Sequence, residues 1–269
     1  MSTANATDCH VHVYEPERFP LKQQIATASW SDYRQHVQQP LGLERAVLVQ
    51  PTGYGFDNAC LLDALAQAGG AARGIAVVSP ETPWSELLRL HEQGVRGVRF
   101  MMVPGAGGVL SWDALETISS RIAELGWVIN LQLDGRDLPE YEARLQALPS
   151  RLSIDHIGKF LEPVPVTHPG FKALLRLLDG GNSWVKVSAP YETSKVGAPL
   201  YDDVSVLAKA LVEAHPERCL WASNWPHPGR NPRPDDGAML ELLSHWTNDA
   251  GVRQRILVDN PATLYGFGG

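Results

Sequence analysis

A chain of 269 residues that is 44% hydrophobic and 20% charged is long enough for one large core, and its formal net charge of -7 comes without any block of Lys or Arg. Nucleic acid and anionic membrane surfaces are excluded as partners, because binding either needs clustered cations to neutralise phosphates. No window approaches the roughly 20 apolar residues of a membrane span, which leaves small molecules as ligands.

The opening residues, 1–7, carry no basic flank and no apolar stretch, and read as neither a signal peptide nor an anchor. Cys9, Cys60 and Cys219 are widely spaced, odd in number and without a Cys-x-x-Cys pair, as expected for buried thiols in a reducing cytoplasm.

From residue 7 onward, short runs rich in Val and Ile alternate with segments of helical period. Eight such runs occur, at 7–14, 45–51, 72–78, 95–101, 127–133, 152–157, 184–190 and 219–225. Amphipathic stretches separate them at 57–68, 85–93, 112–125, 139–148, 171–178 and 203–214, with one more helix expected around 30–37. Continuous apolar strands alternating with helices predict a parallel sheet covered on both faces, and eight of them predict a single (β/α)₈ TIM barrel over 1–269. A doubly wound sheet would carry a Gly-rich fingerprint after its first strand, and none is present. The glycines at 105–108 and the Pro-rich stretch 229–234 read as loops over the barrel mouth.

Catalytic groups of such a barrel stand at the carboxyl ends of its strands. His10 and His12 are two apart on strand one, so both are expected on one face, with Cys9, Val11 and Val13 on the other. Two imidazoles facing one barrel interior are costly without partners and point to function. Strand six adds His156, and strand eight ends in Asn224 followed by His227. Arg99 on strand four can hold a carboxylate or a carbonyl oxygen. Thr52, Tyr54, Ser188 and Tyr191 add hydroxyls at the ends of strands two and seven. No Gly-x-Ser-x-Gly elbow is present and no thiol neighbours a base, which discounts serine and cysteine hydrolases.

The strings Asp8-Cys9-His10-Val11-His12, Ile154-Asp155-His156-Ile157-Gly158 and Trp221-Ala222-Ser223-Asn224-Trp225-Pro226-His227-Pro228 together resemble the amidohydrolase superfamily. Within it the chain is similar to the branch of 2-pyrone-4,6-dicarboxylate lactonases and galactarolactone isomerases, over essentially its whole length. The resemblance implies hydrolysis or rearrangement of a small lactone. It implies that His10, His12 and His156, with a strand-eight acid whose place Asn224 takes here, surround the ester carbonyl. From their strand ends, Thr52, Tyr54, Arg99, Ser188, Tyr191 and His227 are candidate substrate contacts, and water is expected to attack from the Asn224 side.

It also implies that no metal is required. A binuclear site would want a carboxylate on strand four and a histidine on strand five, where this chain has Arg99 and then Asn130 and Gln132. A single zinc on His10, His12 and His156 stays open.

Two departures stand out. The strand-eight acid is Asn224, and Glu192 follows Tyr191 where a dianionic pyrone would want a cation. A neutral or singly charged lactone, such as a sugar-acid lactone, is therefore expected. An amide has no useful basicity near neutral pH. Either His156 or His227 takes the proton, or Asn224 replaces an acid and the pocket only holds its ligand. Lactone isomerisation and non-catalytic binding are the alternatives to hydrolysis.

Overall fold

The computed structural model describes residues 4–21 and 25–268, so the first three residues of the amino-terminal stretch read above lie outside it. Eight parallel strands follow one another in order: β1 (Thr7–Val11), β2 (Arg45–Val49), β3 (Ala72–Ala76), β4 (Val95–Met101), β5 (Val128–Gln132), β6 (Arg151–Ile154), β7 (Ser183–Ser188) and β8 (Cys219–Ala222). Each pairs with the next, and the sheet closes beyond the end of β8. There Asn224 N donates to His10 O at 3.0 Å and His12 N donates to Trp225 O at 2.8 Å. The residues that close the barrel are therefore the residues of the candidate site. The architecture is the expected TIM barrel.

Helices wrap the sheet as their periodicity predicts. They are α1 (Trp30–Tyr33), α2 (Ala59–Ala68), α3 (Trp84–Glu92), α4 (Leu115–Ala123), α5 (Leu138–Gln146), α6 (Pro169–Asp179), α7 (Asp202–Ala214) and α8 (Asp236–Trp246), with α9 (Ala250–Gln254) and α10 (Asn260–Tyr265) completing the chain. Their ends are chemically specified. Ser29 and Asp32 form a reciprocal capping box on α1, Asp235 caps α8, and Gly69 ends α2 in the left-handed conformation that glycine adopts without strain. Among the described residues no helix is long and apolar enough to cross a membrane.

Two apolar layers result. Leu61, Leu87, Ile118, Leu174 and Leu211 of the helices pack on outward residues such as Ala46, Leu48, Val185 and Val187. A second cluster joins Val47, Val49, Ile75, Val128, Trp184, Leu220 and Ala222, closed by Leu264, Tyr265 and Phe267 of the carboxyl end. Cys9 belongs to this second cluster, whereas Val11 and Val13 belong to the first. The expected alternation along β1 is thus broken, because the register against β2 shifts between Asp8 and Val11. Such a bulge re-aims side chains near a barrel rim.

Gly97 shows how tightly β4 is inserted. A Cβ there would lie 2.5 Å from Val128 O and 2.8 Å from Ile75 Cδ1. Gly97→Ala is expected to cost about 1–3 kcal/mol, read from urea unfolding at unchanged m-value. An unchanged midpoint would show that the strands can part without cost.

Candidate active site

Polar groups gather at one end of the barrel because the chain leaves three strands there through strained turns. After β6, His156, Ile157 and Lys159 have φ of 53°, 58° and 50°. A branched residue such as Ile157 in the left-handed region costs on the order of 1–3 kcal/mol and persists only where its surroundings over-determine it. Ala189 after β7, and Asn224 and His227 after β8, are left-handed as well. His156 and Asn224 line a cavity of about 130 Å³ together with His12, Thr52, Arg99 and Glu192, and Tyr14 and Gln132 complete much of its wall.

Beneath the cavity lies a fully buried ionic network. The Lys186 ammonium on β7 is 3.0 Å from Asp155 Oδ1 and 3.0 Å from His10 Nδ1, and it also donates to Asn130 Oδ1. Two of these contacts are hydrogen bonds, to His10 and Asn130, and the third is an ion pair with Asp155. Asn130 Nδ2 in turn donates to Asp155 Oδ2 at 2.9 Å. Burial pushes the Asp155 carboxyl up, but Lys186 and His10 outweigh it and hold the group well below the usual carboxylate range. Burial, reinforced by Lys186, keeps His10 neutral, and burial with Arg99 lowers His12 to about 3.

Neutral imidazoles in fixed contacts have fixed protons. His10 Nδ1 accepts from Lys186, so its proton is on Nε2, which is 3.2 Å from His12 Nε2. His12 Nδ1 is 2.7 Å from the carbonyl oxygen of Val49 and must donate to it, leaving His12 Nε2 to accept from His10. His156 Nδ1 is 3.0 Å from Ser188 Oγ, whose other neighbour, Lys186 O, is 3.5 Å away and too distant for a good O–H···O bond. Ser188 therefore donates to His156, and His156 Nε2–H is left for the cavity. Arg99 is anchored by Nη1 to Gln50 O at 2.7 Å, and its Nε has no protein partner.

A second chain of hydrogen bonds sets Asn224. Asp236 Oδ1 accepts from His227 Nε2 at 3.0 Å, so His227 Nδ1 accepts from the Tyr191 hydroxyl at 2.7 Å. The Tyr191 oxygen then accepts from Asn224 Nδ2 at 3.0 Å, and the same Nδ2 donates to Glu192 Oε1 at 2.9 Å. Both amide protons are spent on acceptors. Glu192 also pairs with Lys159. An amide at position 224 is what this network requires, since a carboxylate has no proton to offer either neighbour.

A family model described as amidohydrolase matches residues 7–267. The chain belongs to the amidohydrolase family. It is 36% identical to a 2-pyrone-4,6-dicarboxylate hydrolase of Comamonas testosteroni, over 97% of this chain and 90% of that one. It is 32% identical to the D-galactarolactone isomerase of Agrobacterium fabrum, again over 97% and 90%. The crystal structure of an Agrobacterium tumefaciens protein in its apo form superposes with a TM-score of 0.91 at 32% identity, covering 98% of this chain and 96% of that one.

Members of the amidohydrolase superfamily often use a metal, and the donors that converge here are His10, Asp155 and His156, within 4.8 Å of one another. His12 is not part of this set. On residue type alone the three can hold an ion. The Lys186 ammonium, however, already neutralises Asp155 and occupies His10 Nδ1, and His10 Nε2 carries a proton in place of a lone pair. The set does not fit a divalent ion while Lys186 is charged.

Of the residues selected from this amidohydrolase sequence, His12, Thr52, Arg99, His156 and Asn224 line the cavity. His10 lies under it, Ser188 backs His156, and Tyr191 and His227 back Asn224. Tyr54 accepts from Glu15 N at 3.2 Å and stacks on Tyr14, which itself reaches the cavity. Asp155, Lys186 and Asn130 were missed as a unit. The available signal was a lysine and an acid inside two apolar strand runs, which are seldom buried unless paired. His168 caps α6 by accepting from Gly170 N at 3.0 Å.

Proposed function

We propose that this amidohydrolase is a lactonase that hydrolyses a small cyclic ester without a metal. The observation that carries the reading is one cavity lined by Arg99, by His156 with its free Nε2–H, and by Asn224. Donors aimed at the oxygen that gains charge contribute on the order of 10²–10³ each to such a reaction.

His156 and Arg99 polarise the ester carbonyl, and a water approaches from the Asn224 side, held by Asn224 Oδ1. The neutral His10–His12 pair forms the floor and keeps its protons fixed. Arg99 brings a cation to the cavity wall, which suits a neutral or singly charged lactone. The two named relatives support lactone chemistry, since a pyrone ring is a cyclic ester and the other protein acts on a lactone by name. The three free, buried cysteines suit a reducing cytoplasm.

Isomerisation is the second reading, favoured by the isomerase relative and by an Asn224 oxygen able to accept from a substrate hydroxyl. Sugar-acid and aromatic-catabolic lactones incubated in ¹⁸O water separate the two. Label in an opened acid establishes hydrolysis, and unlabelled rearranged lactone establishes isomerisation. Tight binding without product would make the chain a binder and end both. Activity that a chelator abolishes and zinc restores would end the metal-free reading.

A further inference from the structure

Attack by water requires a proton acceptor, and the residue at the end of β8 that would serve is an amide. We propose that Glu192, in the Pro190–Glu192 turn that follows the neighbouring strand β7, is the general base. This rests on the lactone reading above.

Four observations converge. Glu192 is the one carboxylate among the described residues of the cavity wall. Its Oε1 is 2.9 Å from Asn224 Nδ2, so it stands one hydrogen bond away from the side chain it would replace. Lys159 pairs with it, and Arg230 Nη2 donates to Glu192 O at 3.1 Å and pins its backbone. The competing acceptors are otherwise engaged. The His12 lone pair receives the His10 proton, His156 presents N–H rather than a lone pair, and His227 is bound on both nitrogens outside the cavity wall.

The step balances. Water oxygen bonds to the lactone carbonyl carbon as its proton passes to Glu192, and the carbonyl π pair moves to the oxygen held by His156 and Arg99. Collapse restores the carbonyl and breaks the ring C–O bond. The departing alkoxide takes the proton from Glu192, so lactone and water become a hydroxy acid with the carboxylate regenerated. In the isomerase variant a substrate hydroxyl supplies the proton instead.

The test uses the full chain and a panel of galactarolactone and other sugar-acid lactones. Glu192→Gln keeps the side chain's size and is expected to lower kcat by about 10²–10⁴-fold with little change in KM. The substituted amide would present an N–H₂ where Glu192 accepts, so adding Asn224→Asp reverses the polarity of the contact and places a carboxylate one bond away. The double variant is expected to recover kcat by about tenfold or more over Glu192→Gln. Formate is expected to rescue Glu192→Ala partly. A Glu192→Gln enzyme with nearly full kcat overturns the proposal, as does a loss that neither Asn224→Asp nor formate relieves. A wild-type chain that turns over no lactone overturns the lactone reading and the proposal with it, whereas turnover by wild type and Glu192→Gln alike overturns the proposal alone.

Discussion

Lys186→Met is expected to be the most damaging single substitution in the barrel, destabilising it by about 3–5 kcal/mol, because removing one partner of a buried pair strands the other charge. Methionine is close to lysine in length and leaves no large void. What remains is Asp155, fully buried, with Asn130 and His10 as its polar neighbours. The loss should depend on pH in a defined direction. In the wild type Asp155 is held well below the ordinary carboxylate value, so its contribution is present above the unfolded pKa of about 4 and is lost as pH falls through the lower folded value. Without Lys186 burial dominates and raises that pKa, so the variant loses stability as pH rises above about 4. The gap in unfolding free energy is therefore expected to widen between pH 4 and pH 8. A constant gap would mean that Lys186 contributes packing alone.

The same substitution reaches the site. With Lys186 gone, His10 Nδ1 can donate to Asp155 Oδ1, 3.3 Å away, and Nε2 then loses its proton. Two lone pairs would face each other across the 3.2 Å between His10 and His12. That spacing is close to the roughly 3.3 Å between two nitrogens bound at about 2.05 Å to one tetrahedral zinc. Lys186→Met is accordingly expected to bind one zinc ion that the wild type does not, measured by titration calorimetry and by cobalt absorption. Equal zinc binding by both would remove Lys186 as the barrier.

Asn224→Asp is expected to lower kcat by about 10²-fold or more in the wild-type background. An aspartate would press its oxygens against Glu192 Oε1 and the Tyr191 oxygen, where the amide now donates at 2.9 and 3.0 Å. Two carboxylates sharing one site cannot both ionise, so the pair takes up one proton, and the carboxylate that remains is tied up in the hydrogen bond between them instead of accepting from water. In the Glu192→Gln background the same change is expected to raise kcat. That reversal of sign is a coupling that steady-state kinetics on the four proteins of the cycle would expose. A rise in kcat for the single variant would mean that position 224 supplies the base and that Glu192 does not.

Much of this was legible in the chain. Eight apolar runs separated by helical stretches specify the barrel, because alternation of period 2 and 3.6 is a local property and burial on both faces leaves few other arrangements. His12, Arg99, His156 and Asn224 could be placed at strand ends for the same reason. What the tertiary structure decided is which of these groups carry protons and charge. His10 meets Lys186 176 positions away, and Asn224 meets Glu192 between the turns that follow β8 and β7, which contain the left-handed residues Asn224 and Ala189. No local pattern records such pairings. Glu192, read from sequence as a residue unsuited to an anion, stands on the cavity wall, and Cys9 turns inward through a register shift in β1. Protonation states depend on burial and on partners brought together by barrel closure, and neither exists until the last strand has met the first.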